Sequence, residues 1–174
     1  MRAENLVILF SDVVGSTELS HLQSAEDADE LRRRHFAMLR QALTGAGGTE
    51  VKNLGDGLMV VFSSASAALD CAVAMQQAVE YDNRDRRHPA VGLRIGLSGG
   101  EVVPEDDDYW GDPVIEAARL CALCDGGQIL AVDLDDRDVG PGIHAEGGIG
   151  GFAGFHPTGG GMFEGGHIGG IGHR

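Results

Sequence analysis

The chain has 174 residues, 43% of them hydrophobic, and a formal net charge of −14, which suits one domain with its own core plus a tail. A surface this acidic repels a phosphate backbone and argues against nucleic-acid binding, and no apolar run approaches the roughly 18–20 residues that cross a membrane. Met1-Arg-Ala-Glu-Asn5 leads directly into a strand-like run without signal-peptide architecture, and three cysteines make a poor disulfide framework, so a cytoplasmic setting is expected.

Leu6-Val-Ile-Leu-Phe10 is a continuous apolar run ending at Ser11-Asp12, the pattern of a strand buried on both faces. From Asp27 to about Leu43, Ala28, Leu31, Met38, Leu39 and Ala42 recur at helical spacing, and Gly45-Ala-Gly-Gly48 ends the segment. Thr49 to Leu54 and Leu58 to Phe62 flank Gly55-Asp-Gly57 and predict a hairpin, because Asp-Gly supplies the positive φ angles of a tight turn. A second helix follows, with Ser66 as its expected cap and Ala68, Cys71, Ala72, Met75 and Val79 on one face. Val91 to Leu97 predicts a further strand, Ser98-Gly-Gly100 a turn, and Glu105-Asp-Asp-Asp108 an acidic loop. A third helix is expected from Asp112 as cap, through Pro113 at its first position, to Cys124, before a last strand from Gln128 to Val132.

This order predicts an α+β domain of ferredoxin-like βαββαβ type over residues 1–133. Residues 134–174 are rich in glycine, with His144, His156, His167 and His173 scattered among them. Such a composition cannot bury enough apolar surface to offset its ordering entropy, so this Gly/His-rich tail is expected to be disordered.

Two carboxylates stand out by position. Asp12 follows a buried strand, and Asp56 lies in the turn of a hairpin expected beside it. If the two strands are neighbours, both acids reach one point and suit Mg²⁺ or Mn²⁺, which bind through few carboxylates and leave positions for phosphate. Val13, Val14, Gly15, Ser16 and Thr17 form a small-residue loop whose backbone amides could cradle a polyphosphate. Each feature alone has a plainer reading, as an ordinary turn, a helix cap or a loop. The combination carries the information.

Phe10-Ser-Asp-Val-Val-Gly-Ser-Thr17, Val51-Lys-Asn-Leu-Gly-Asp-Gly57, Arg94-Ile-Gly-Leu97, and Asp108-Tyr-Trp-Gly-Asp-Pro-Val114 with Ala117-Ala-Arg-Leu120 together resemble the class III adenylate/guanylate cyclase catalytic domain in its bacterial form. The resemblance covers roughly residues 5 to 133 and implies conversion of ATP to 3′,5′-cyclic AMP and pyrophosphate. It places Asp12 and Asp56 on the family's metal-binding aspartates, where two Mg²⁺ or Mn²⁺ ions hold the triphosphate and help the ribose 3′-hydroxyl attack the α-phosphate. It places Lys52, the only lysine of the chain, on the base-selecting position, Asp108 on its partner that accepts from the adenine amino group, and Arg119 on the arginine that stabilises the transition state. It also implies a homodimer with active sites shared between subunits.

Two departures qualify the resemblance. The family sets an asparagine four residues before that arginine, and this chain has Ile115; by analogy with losing one preorganised donor, a rate loss on the order of 10²–10³ is expected. The family's closing helix and strands, with a further phosphate-binding lysine, are replaced by the glycine-rich tail, which suggests a shifted reading frame or truncated gene. A catalytically degenerate regulatory or dimerisation module is therefore the alternative. A diguanylate cyclase, suggested by Gly99-Gly-Glu101, is disfavoured because Val102-Val103 follow. Cys121-x-x-Cys124 lacks a second pair and is expected to be two buried or half-buried thiols, and Arg32-Arg-Arg34 the solvent face of the first helix.

Overall fold

The computed structural model describes residues 2–15, 24–85, 89–132, 134 and 153–155. Among the described residues seven strands and three helices follow in the order β1 (Glu4–Val14), α1 (Ala25–Ala46), β2 (Thr49–Asn53), β3 (Leu58–Phe62), α2 (Ala65–Asn83), β4 (Gly92–Glu105), β5 (Asp108–Trp110), α3 (Asp112–Leu123), β6 (Ile129–Val132) and β7 (Ala153–Phe155). The sheet order is β2-β3-β1-β4-β6-β7, with β5 paired to β4 alone. This is the mixed α+β architecture that the element order predicts. Among the described residues no helix is long and apolar enough to cross a membrane.

β1 sits at the centre, antiparallel to β3 on one side and to β4 on the other. Its alternation divides the core. Val7, Leu9 and Val13 face α1 and α2, together with Phe36, Leu39, Leu58, Val60 and Met75. Ile8 and Phe10 face the opposite side with Met59, Val61, Val102, Ala117 and Cys121 of α3. Burial on both faces explains why the strand reads as an unbroken apolar run rather than as an alternation.

α1 begins on Ser24, whose hydroxyl accepts from the Asp27 amide, and ends on Gly47 at φ 73°. α2 is capped by Ser64, not by Ser66 as the sequence suggests; Ser66 instead shares a hydroxyl contact of 2.9 Å with Ser64. Arg34 of α1 pairs with Asp82 of α2 and so ties two helices together, while Arg32 and Arg33 lie exposed and pair with Asp29. Only part of that arginine cluster is therefore a solvent face.

The largest departure from expectation is β4. Ser98-Gly-Gly100 is not a turn; it runs on as strand, with Gly99 opposite Val7 and Gly100 opposite Leu6. The glycines serve packing here, since a Cβ at Gly100 would come within 2.9 Å of the Pro113 ring. The real turn lies later, where Asp106 and Asp107 both adopt positive φ and fold β5 back onto β4. Aspartate tolerates that conformation better than most residues. Within the Gly/His-rich tail, Ala153–Phe155 pair antiparallel with β6, a strand that the glycine pattern does not predict. The four tail histidines, Ser16 and Thr17 lie outside the described residues.

Candidate active site

The hairpin of β2 and β3 closes through Leu54-Gly55-Asp56-Gly57. The Asn53 side chain accepts from the Gly55 amide at 2.8 Å, and the Leu54 amide donates to the Gly57 carbonyl at 2.9 Å. Gly55 takes φ 99°, open to glycine and strained for other residues. Gly57 is needed for a different reason: a Cβ there would stand 1.7 Å from the Ser11 carbonyl oxygen. The Leu58 amide also donates to the Ser11 hydroxyl at 3.1 Å. The turn is thus pressed against the end of β1 at Ser11-Asp12, which brings the carboxyls of Asp56 and Asp12 together. The sequence expectation depended on that adjacency.

Asp12 meets a third group. Arg94 stands directly opposite it on β4. Its Nε donates to Asp12 Oδ2 at 2.8 Å and its Nη2 donates to the same oxygen, while Nη1 reaches the Ala122 carbonyl at 3.5 Å. Burial raises the Asp12 carboxyl above its ordinary range; the Arg94 guanidinium pulls it back, and the Asp56 carboxyl beside it pushes it further up. Arg94 is held more firmly protonated by the Asp12 carboxylate. Two carboxylates side by side form a set of oxygen donors that a hard divalent cation would fit.

Lys52 reaches its place through a bulge. Glu50 pairs with Val60 and Lys52 with Met59, so Val51 is an extra residue on β2. Glu50 points to the α1 face, where Arg40 donates to both its oxygens at 2.7 and 2.8 Å. Without the bulge the alternation would send Lys52 to that same face as Glu50's second neighbour. With it, Val51 packs against the α3-side core and Lys52 crosses to Asp108, Nζ to Oδ2 2.5 Å. The Lys52 ammonium and the Tyr109 amide hold the Asp108 carboxyl below its usual range.

α3 rests on β4 at Gly96, where a Cβ would come within 2.3 Å of the Ala117 carbonyl and the Cys121 amide. Cys121 and Cys124 donate their thiols to the carbonyls of Arg94 and Ile95 at 3.5 and 3.1 Å. Burial pushes the Cys121 thiol up to about 12 and raises Cys124 as well. They are inert packing thiols, as their isolated spacing predicts. The helix leaves Ile115, Arg119 and Leu123 exposed on one stripe.

Of the residues singled out from sequence, the structure brings Asp12 to Asp56 and Lys52 to Asp108. Val13 and Val14 close β1, with Val13 buried, and Gly15 follows in a turn at φ 77°. Arg119 stands apart on its helix. Arg94 was legible only as part of a motif; its contact with Asp12 follows from strand register, which no local pattern reveals.

Comparison with known proteins adds the decisive observation: the model of the adenylate and guanylate cyclase catalytic domain matches residues 1–133. The chain belongs to this cyclase family. It is 36% identical over 134 residues to putative adenylate cyclase 3 of Rhizobium meliloti, covering 76% of this chain and 23% of that protein. It is 31% identical over 152 residues to a pH-sensitive adenylate cyclase of Mycobacterium tuberculosis, covering 87% of this chain and 37% of the relative. The chain therefore spans well under half the length of either. The crystal structure of the guanylyl cyclase Cya2 superposes with a TM-score of 0.73 over 84% of this chain and 83% of that one; at 24% identity this likeness concerns the fold.

Proposed function

We propose that this cyclase domain converts ATP to 3′,5′-cyclic AMP and pyrophosphate. The observation that carries the choice of base is the Lys52–Asp108 pair, Nζ to Oδ2 2.5 Å. An ammonium beside a carboxylate presents one donor and one acceptor. Adenine offers the complement, an acceptor at N1 and a donor at its amino group, whereas guanine has a donor at N1 and an acceptor at O6. A mismatched base leaves polar groups unpaired, which is the strongest source of discrimination in a binding site.

Asp12 and Asp56 would hold the divalent cations, Mg²⁺ or Mn²⁺. What these supply when bound is neutralisation of the triphosphate and a lowered pKa at the ribose 3′-hydroxyl. In the reaction the ribose 3′-hydroxyl gives up its proton to solvent, its oxygen forms a bond to the α-phosphorus, the bond from that phosphorus to the bridging α–β oxygen breaks, and pyrophosphate leaves with that electron pair. Val13, Val14 and Gly15, with Ser16 and Thr17 beyond them, would cradle the phosphates through backbone amides. Arg119 would stabilise charge on the transferring phosphate. Ile115 and Leu123, one turn either side of it on α3, are 51% and 70% exposed, apolar positions that suit a homodimer with shared sites.

Ile115 favours the second reading, a regulatory module that has lost turnover, because its side chain cannot hydrogen-bond a ribose. Cyclic AMP formation from ATP with Mn²⁺, measured for the chain and for Asp56→Ala with GTP as competitor, separates the two. Product that prefers ATP and vanishes in the variant supports the cyclase; no product from either chain supports the regulatory module.

A further inference from the structure

We propose that Arg40, a residue of α1 outside the site, keeps Glu50 from pairing with Lys52 and so leaves the ammonium to Asp108 and to the base. This rests on the reading of Lys52 and Asp108 as the base-selecting pair.

Residues two apart on an unbroken strand share a face. Glu50 and Lys52 stand two apart on β2 and carry opposite charges, so in a regular strand they would be neighbours able to pair. The extra residue at Val51 separates them, since Glu50 lies opposite Val60 and Lys52 opposite Met59. Val60 belongs to the core under α1 and α2, Met59 to the core under α3. The two charges therefore leave the sheet on opposite sides.

Little else in β2 fixes that arrangement. Among the described residues the strand lies at the edge of the sheet, pairs with β3 alone and has no fully buried side chain. Val51 alone of its five residues packs against an apolar cluster. The register of such a strand is weakly specified by burial. Its downstream end is fastened by the turn, where the Leu54 amide donates to the Gly57 carbonyl at 2.9 Å. Its upstream half is held by Arg40, which donates to both oxygens of Glu50 at 2.7 and 2.8 Å. The same guanidinium lies 5.4 Å from the centre of the buried Phe36 ring. A bidentate pair fixes direction as well as distance, and these bonds hold the Glu50 carboxyl below its ordinary range. Without Arg40 the upstream half can slip by one residue and lose the bulge. An unpaired Glu50 carboxylate then arrives beside Lys52, in competition with Asp108. Arg40 acts through Glu50 and Lys52 and is a positioning residue.

Lys52 is the only lysine, so the full chain labelled with ¹³C-lysine gives a single ε-carbon signal by NMR. That signal follows the ion pair and needs no turnover. Arg40→Ala should move it and lower kcat/KM for ATP by about tenfold, the smaller end of the contribution of one hydrogen bond to a charged group. The loss should fall mainly on KM, as expected for a contact remote from the reacting phosphorus. Arg40→Gln keeps the stem without the charge and should act alike, which serves if the alanine variant does not fold. The deciding protein is Arg40→Ala combined with Glu50→Gln. Removing the competing charge should return both the lysine signal and the ATP kinetics toward wild type, whereas damaged packing would not be repaired by a second substitution. A signal unmoved in a folded Arg40 variant, or moved and not returned by Glu50→Gln, overturns the inference. If Lys52→Met leaves the preference for ATP over GTP unchanged, the base-selecting reading fails, while the lysine signal still decides whether Arg40 keeps Glu50 away.

Discussion

Lys52 on β2 and Asp108 on β5 lie 56 residues apart in sequence and meet at 2.5 Å, Nζ to Oδ2. Neither strand pairs with the other; the meeting is produced by a bulge at Val51 and by the Asp106-Asp107 turn. Lys52→Ala and Asp108→Ala should each lower kcat/KM for ATP by about 10- to 100-fold, the loss of one hydrogen bond to a charged group. Because each residue also orients the other, the double variant should lose less than the product of the two single losses. Steady-state kinetics on the four proteins, with ATP and GTP, reads this directly. Lys52→Glu alone should not create a guanine site, since the new carboxylate would face Asp108 and repel it.

Ile115 is the position where restoring a polar group should raise activity. It is exposed on α3, one turn before Arg119. Ile115→Asn should therefore increase kcat by on the order of 10²–10³ if a missing donor limits the rate, with a stability change within about 0.5 kcal/mol, as at other surface positions. Single-turnover rates and thermal melts check both halves. An unchanged rate with normal ATP affinity would place the limitation elsewhere.

The parts of this fold that the sequence made legible are those with local causes. The apolar run at Leu6–Phe10, the Asp-Gly turn at Asp56 and the glycine stop of α1 each carry their own signal. What escaped was set by pairing at a distance. Ser98-Gly-Gly100 has the composition of a turn, but β1 offers a full ladder opposite it, so the extended backbone wins and the glycines admit Pro113. Asp106-Asp107 looks like a solvated acidic run, yet it turns the chain. The site divides in the same way. Asp12 and Asp56 were visible as a pair because one hairpin beside one strand was enough to join them, whereas Arg94 required the register of β4 on β1. The exchange of Ser66 for Ser64 as cap is the small displacement expected when serines cluster before a helix.

Gly57 and Gly55 stand two residues apart and should respond differently to the same change. Gly57→Ala would drive a methyl group into the Ser11 carbonyl, 1.7 Å from the ideal position, so the turn must leave β1. The expected result is a loss of about 2 kcal/mol or more, of the size seen for overpacking, together with weakened Mn²⁺ binding as Asp56 moves from Asp12. Gly55→Ala meets nothing within 4 Å but keeps φ 99°. That substitution should cost about 1–2 kcal/mol of conformational strain and leave Mn²⁺ affinity close to wild type. Urea unfolding and Mn²⁺ titration on both variants separate packing from backbone strain.

His35 gives the domain a pH dependence of its own. It lies 5% exposed on α1, edge-on to Phe36, and neither ring nitrogen has a hydrogen-bond partner among the described residues. Burial lowers its pKa below the ordinary value of 6.5, while the negative charges of Asp82 and Asp56 oppose that shift. A histidine depressed in the folded state binds its proton more readily when unfolded, so the unfolded chain takes up more protons as the pH falls. Its contribution to stability is full above about pH 6.5, the unfolded value, and is lost as the pH drops from there toward the folded value. The slope this one group adds cannot exceed about 1.4 kcal/mol per pH unit. His35→Leu removes the titration and two unsatisfied buried nitrogens, so unfolding free energy should depend less on pH between 7 and 5 and be higher at the acid end. Urea denaturation at pH 7, 6 and 5 on both proteins decides it; identical slopes would show that the ring is not the group that senses acid.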